Sequence, residues 1–179
     1  MCSSDLGEVL GRNQPHKLEG IDLAESKLSS GDIAGASEMA KEVLAKQPAG
    51  AEPTRDVAHA WFILARAAIM TGHPEDAIND FQKTLATAKE QRLLAWSHIY
   101  LGRMLDLDCK RDEAVSEYKL ALTVRDGRDD TLVAAERGVK SAYSVNGHTC
   151  EADADDEPAD PGPDNPAATP GHSGQAMPK

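Results

Sequence analysis

Chemistry needs polar side chains at set spacings, and the candidates in this chain are few. His59, His73, His98 and His148 are scattered, with no His-x-x-x-His pair and no neighbouring cysteine, so zinc spacing is absent. Asp106, Asp108 and Glu117 in "DLDCKRDEAVSE" stand at positions one, three and twelve of a calcium-type loop. Lys110 and Arg111 occupy positions five and six, where such a loop needs an oxygen ligand and a glycine, so calcium is not expected. No Gly-x-x-x-x-Gly-Lys, no Gly-x-Gly-x-x-Gly and no Gly-x-Ser-x-Gly occurs. Cys2, Cys109 and Cys150 have no metal spacing and no Cys-x-x-Cys, and they fix no redox compartment. The sequence offers no cofactor, no metal and no catalytic set, and it reads as a non-enzyme.

What it offers instead is internal repetition. "AWFILARAAIMTGHPEDAINDFQKTL" and "AWSHIYLGRMLDLDCKRDEAVSEYKLAL" align with a constant offset of 37 residues. Leu64-Ala65 falls on Leu101-Gly102, Gly72 on Cys109, Ala77 on Ala114, Phe81 on Tyr118 and Leu85 on Leu122. A weaker copy upstream, offset by 41, places Leu23-Ala24, Gly31 and Ala36 under Leu64-Ala65, Gly72 and Ala77. A period in this range marks a stack of supersecondary units, each burying its apolar side on the next. Within each copy the apolar residues recur at helical spacing: Trp61, Leu64, Ala65, Ala68 and Ile69, then Ala77, Ile78, Phe81 and Leu85. Ala65, Gly102, Ala77 and Ala114 are small enough for two helices to approach closely. Phe81 and Tyr118 would fill the gap against the next unit.

Punctuation agrees with paired helices. Gly31 and Gly72 suit the left-handed residue that ends a helix. Pro74 suits a first helical turn, and Thr54 and Asp112 are candidate N-caps. Past the third copy, "DDTLVAAERGVKSAY" reads as one more helix, capped by Asp129 or Asp130 and stopped by Asn146-Gly147. Leu132, Val133, Ala135, Val139 and Ala142 would form its apolar side, and Glu136, Arg137 and Lys140 its polar face. Such a terminal helix keeps the last repeat interface out of water.

The pattern resembles the tetratricopeptide repeat. The residues that carry the resemblance are Trp61, Leu64, Ala65, Ala77 and Phe81 in the middle copy. The third copy has Leu101, Gly102, Ala114, Tyr118 and Ala121, and the first has Leu23, Ala24, Ala36 and Pro48. The first copy lacks the aromatics, and Cys109 stands for the usual turn glycine. The resemblance implies an all-α, tetratricopeptide-like helical hairpin solenoid of about three repeats plus a capping helix over residues 16–146. It also implies that the first helix of each repeat lines a concave groove. The groove positions are then Leu18, Ile21, Glu25 and Leu28 in copy one. Copy two gives His59, Phe62, Arg66 and Ile69, and copy three gives Trp96, Ile99, Arg103 and Asp106. Such a groove, apolar with two arginines in equivalent places, fits an extended or helical peptide bearing a carboxylate. The alternative is that Phe62 and Ile99 pack on neighbours while Arg66 and Arg103 are solvated or paired with Asp106. Some relatives clamp the terminal carboxylate of heat-shock chaperones with lysines and asparagines; Ile21 and Glu25 in the corresponding places do not support that activity here.

The ends differ in composition. Residues 151–179 hold seven acids and one base of a chain whose net charge is −11, and six of its ten prolines. With almost no large apolar residue, the segment 147–179 is expected to be a disordered acidic tail. No basic stripe is present, which argues against nucleic acid. The best apolar run, Ala60 to Met70, is broken by Arg66 and falls short of the ~20 residues needed to cross a bilayer. Residues 1–15 read as disordered or artefactual. "MCSSDL" is what the end of a sequencing-library adapter encodes when GTG is read as a start.

The expected function is a protein–protein interaction scaffold or adaptor. The alternative is the C-terminal accessory repeat region of a larger bacterial enzyme or sensor whose N-terminal domain is missing. Deleting Met1 to Leu6 should leave the melting temperature unchanged. A loss of several degrees would mean that these residues belong to the native structure.

Overall fold

The computed structural model describes residues 18–145. The segment 1–15, the Asn146-Gly147 stop and the tail 147–179 lie outside the described residues. Seven helices follow one another: α1 Gly20–Ser29, α2 Ile33–Ala45, α3 Arg55–Met70, α4 Pro74–Thr87, α5 Gln91–Leu107, α6 Arg111–Thr123 and α7 Asp129–Lys140. Each helix packs on its sequence neighbours, and each odd-numbered helix also packs on the next odd-numbered one. Three hairpins therefore stack in line, with α7 standing where a fourth hairpin would begin.

The repeat is visible in the backbone before any packing is considered. Gly31, Gly72 and Cys109 take φ of 90°, 77° and 59°, all left-handed. The residue after each of them donates its N–H five residues back: Asp32 to Lys27 O at 2.9 Å, His73 to Ala68 O at 2.8 Å and Lys110 to Leu105 O at 2.9 Å. This is the six-to-one bond of a Schellman turn, made three times at the spacings of the sequence repeat. Cys109 makes it with a β-carbon present, at a conformation that favours glycine.

Packing follows the same register. Ala24 and Ala36, then Ala65 and Ala77, are fully buried where the two helices of a hairpin meet, and Gly102 with Ala114 repeats the arrangement. Three core clusters result, each made by one hairpin and the first helix of the next. The first joins Ile21, Ala24 and Leu28 to Ala36, Ala40, Ile63 and Ala67. The second gathers Ala58, Phe62, Phe81, Leu93 and Leu101. The third gathers Ile99, Ala114, Tyr118, Ala121 and Ala135. Phe81 stacks on Tyr100 of the following hairpin, with centroids 5.2 Å apart and planes at 5°. Tyr118 fills the equivalent gap against α7. A β-carbon on Gly102 would lie 2.7 Å from its ring, and one on Gly138 would lie 2.4 Å from it.

Several local expectations are corrected. Thr54 does cap α3, accepting from the Val57 N–H, and Pro74 opens α4. Asp112 is not an N-cap; α6 begins at Arg111, and Asp112 and Glu113 sit in its first turn, where the helix dipole favours carboxylates. Neither Asp129 nor Asp130 caps α7, because both lie inside it. Asp126 organises that start instead, accepting from the Arg128 N–H at 3.1 Å and the Thr131 hydroxyl at 2.8 Å. The helix ends at Lys140, before Ala142. Its buried face is Thr131, Ala135 and Gly138, flanked by Ala134 and Val139, whereas Leu132 and Val133 are half exposed. A polar threonine replaces a leucine on the inner face because Asp126 satisfies its hydroxyl.

A bare helix would gain about 1 kcal/mol from Gly→Ala. Gly102→Ala and Gly138→Ala should instead each destabilise by about 1–3 kcal/mol, because the methyl meets the Tyr118 ring. Urea denaturation measures both. Combining Gly138→Ala with Tyr118→Leu should recover part of the loss; strict additivity would show that the ring is not what excludes the methyl.

Candidate functional site

The eight groove positions of the second and third copies separate into two sets. Four turn inward. His59 is 9 % exposed, and its Nε2 lies 3.0 Å from a Glu90 carboxylate oxygen. That hydrogen bond, helped by the charge of Arg55, holds the Glu90 carboxyl below its usual range against the opposing effect of burial. Phe62 is buried edge-on between Phe81 and Tyr100, 5.7 and 5.9 Å away. Ile99 is wholly buried in the third core cluster, and Asp106 is 4 % exposed. His59, Phe62, Ile99 and Asp106 are thus corrections to the groove lining: the core needs their volume, or their hydrogen bonds, more than the surface does.

Arg66, Ile69, Trp96 and Arg103 form the second set, half-buried on α3 and α5. The Arg103 guanidinium carbon lies 5.9 Å from the Trp96 ring centroid, 5.3 Å from Tyr100 and 5.2 Å from Tyr143. Three rings hold one cation by cation–π attraction, which grows as the contact is desolvated. Arg103, Arg137 and Tyr143 also border an open cavity of about 310 Å3 between α5 and α7. Tyr100 and Tyr143 escaped the sequence reading, and Arg137 was read only as part of the polar face of the last helix. Tyr100 falls between groove positions, and nothing local ties Tyr143, which follows α7, to α5.

Asp106 is the most heavily bonded carboxylate of the region. One oxygen accepts from Arg111 Nη1 at 2.9 Å. The other accepts from the Tyr118 hydroxyl at 2.8 Å and the Tyr143 N–H at 2.7 Å. Arg111 then donates from Nη2 to the carbonyls of Gly138 and Val139, at 2.8 and 2.9 Å, in the last turn of α7. Burial, and secondarily the bond to Asp106, push the Tyr118 hydroxyl far above the ordinary phenol range, so it stays a donor. One ion pair therefore joins α5, α6, α7 and the chain beyond. The arginine partner of Asp106 is Arg111, not Arg66 or Arg103.

The three carboxylates of the calcium-like spacing are engaged within the protein: Asp106 by the donors above, Asp108 with Lys110 at 2.7 Å and Glu117 with His98 at 2.8 Å. Among the described residues no group of His, Cys, Asp and Glu could hold a metal ion. No helix among them is long and apolar enough to cross a membrane.

Hairpins stacked in this register, with every odd helix in one layer, define a tetratricopeptide-like helical repeat fold. Among solved structures, the crystal structure of MamA protein, also a tetratricopeptide-like helical repeat, is similar at a TM-score of 0.50 with 19 % sequence identity. The likeness covers 67 % of this chain and 60 % of that one, so the chain spans only part of the MamA length. No family model matches the chain, and no curated protein matches it.

Asp106→Ala should cost about 3 kcal/mol, because Arg111 loses its buried partner and two further donors lose their acceptor. Asp106→Ala with Arg111→Met should recover part of that in thermal melts. No recovery would show that the pair does not act as a unit.

Proposed function

We propose that the chain is a non-catalytic protein-binding scaffold, and that a peptide segment lies across the odd-helix layer on Arg66, Ile69, Trp96 and Arg103. The observation that carries the reading is the partial exposure of this patch amid positions that the core has absorbed. Tryptophan and arginine are the residues that most often dominate binding energy at protein interfaces. Arg103 is already ordered by three rings, so a ligand carboxylate would find it with little entropy left to lose. Ile69 and Trp96 supply the apolar anchors on either side. The protein-partner reading also agrees with a net charge of −11, which repels nucleic acid.

The second reading is the C-terminal accessory repeat region of a larger bacterial enzyme or sensor whose N-terminal domain is missing. It leaves the role of the patch unchanged.

The test is to select from a random library of peptides of about 16 residues and measure the winners by calorimetry. Selected peptides should carry an acidic group near an apolar or aromatic residue. Arg66→Gln and Arg103→Gln should each weaken binding about tenfold, equivalent to about 1.4 kcal/mol; melting should be unchanged in Arg66→Gln and slightly lowered in Arg103→Gln, which loses its ring contacts. Peptides that bind the double variant as tightly as the native chain would refute the patch.

A further inference from the structure

We propose that the cavity between α5 and α7 is a binding site for a phosphoryl group, carried on a serine or threonine side chain of a peptide partner. The site stands on its own geometry; that the group arrives on a peptide rests on the protein-partner reading. The cavity measures about 310 Å3 and is lined by Arg103, Tyr118, Arg137, Ser141, Tyr143 and Ser144, with small residues between them. Among the described residues, the only charges that line it are the two arginines.

Charge singles this cavity out. Cations elsewhere on α5, α6 and α7 are neutralised: Arg92 by Asp130 at 2.7 Å, Arg111 by Asp106 at 2.9 Å and Lys140 by Glu136 at 3.9 Å. Arg103 and Arg137 pair with no described carboxylate. Two positive charges therefore face one cavity uncompensated, in a chain of net charge −11. Local structure accounts for only part of this. Arg137 lies in the last turn of α7, where a cation suits the helix dipole. That turn is already served, because Arg111 donates to the Gly138 and Val139 carbonyls and the Ser141 N–H donates to the Arg137 carbonyl at 2.9 Å.

The lining selects among anions. A phosphoryl group at neutral pH carries about −1.5 to −2 in charge and three acceptor oxygens. A carboxylate brings one charge and two oxygens, and would leave one arginine unmatched. Guanidinium forks fit phosphoryl oxygens in pairs. The hydroxyls of Ser141, Tyr143 and Ser144 supply further donors around the same space. The walls are held in advance. Tyr118 donates its hydroxyl to Asp106 at 2.8 Å, and the Tyr143 N–H reaches the same carboxylate at 2.7 Å. The Arg103 guanidinium lies 5.2 Å from the Tyr143 ring, so little freedom is left to lose on binding. Arg103 is also 5.9 Å from the Trp96 ring, so a peptide on the patch continues directly into the cavity.

NMR titration of the full chain with a capped Ala-phosphoserine-Ala tripeptide tests the site. The Arg103 and Arg137 side chains and the Gly138 and Ser144 amides should shift and saturate. The same tripeptide with glutamate should bind at least about tenfold more weakly. Arg137→Gln should weaken phosphoserine binding about tenfold. Arg128→Gln removes the same charge outside the cavity, and Arg66→Gln removes it from the patch; each should change that binding less than about twofold, as for screened surface charges. Three results would overturn the proposal: glutamate binding as tightly as phosphoserine, an Arg137→Gln effect matched by either control, or inorganic phosphate binding as tightly as the tripeptide, which would make the ligand a free ion. A tripeptide spans at most about 10 Å and does not need Arg66 or Ile69. If it fails while library peptides bind through Arg66, the phosphoryl site falls and the patch stands; if it binds while the library yields nothing, the patch falls and the site stands.

Discussion

Tyr118 is the constraint around which the C-terminal half of the stack is arranged. Its ring lies where no β-carbon is tolerated on either side, so Gly102 of α5 and Gly138 of α7 must both be glycine. Its hydroxyl, deeply buried, must then find an acceptor, and Asp106 supplies one. Asp106 is buried in turn and must be charge-balanced, which fixes Arg111. Arg111 has donors to spare and places them on the last carbonyls of α7. Each step follows from the one before, because a buried polar group without a partner costs more than a paired one gains.

The preceding hairpin solves the same problem without charge. Phe81 stands where Tyr118 does, and Ala65 where Gly102 does, and the space is closed by Tyr100 stacked on the ring. The array can use a plain aromatic where another full hairpin follows. In the third hairpin, which packs on α7, it uses a hydroxyl, an ion pair and a returning segment. Surface pairs support the same stacking more weakly: Arg92 forms a forked pair with Asp130 of α7, at 3.1 and 2.7 Å, and Arg55 approaches Asp22 of α1 at 3.7 Å. Exposed pairs of this kind contribute little stability and chiefly bias the register.

The hairpins were legible because two independent signals share the same two offsets, 41 and then 37 residues. The small residues Ala36, Ala77 and Ala114 mark the helix crossings, and Gly31, Gly72 and Cys109 mark the turns. Both are local demands of steric space or of positive φ, and local demands leave a mark on residue type. The site was less legible. Asp106 looks like a ligand or a groove residue in one dimension, because the donors that claim it come from three other places in the chain. The inner face of α7 was misjudged because Leu132 is more apolar than Thr131, yet Asp126 makes threonine the better buried residue. Gly138 reads as a weak point in a helix until the Tyr118 ring is known to lie against it.

The central claim is that α5, α6 and α7 form one cooperative unit locked through Tyr118. Native-state hydrogen exchange on the full chain in mild denaturant tests it most directly, comparing the native protein with Tyr118→Phe, which removes only the hydroxyl. The account predicts that the slow amides of α5, α6 and α7 lose the same opening free energy, about 1–2 kcal/mol, while those of α1 and α2 are unmoved. If the α7 amides open independently of α5 and α6, or are unaffected by the lost hydroxyl, the lock does not exist.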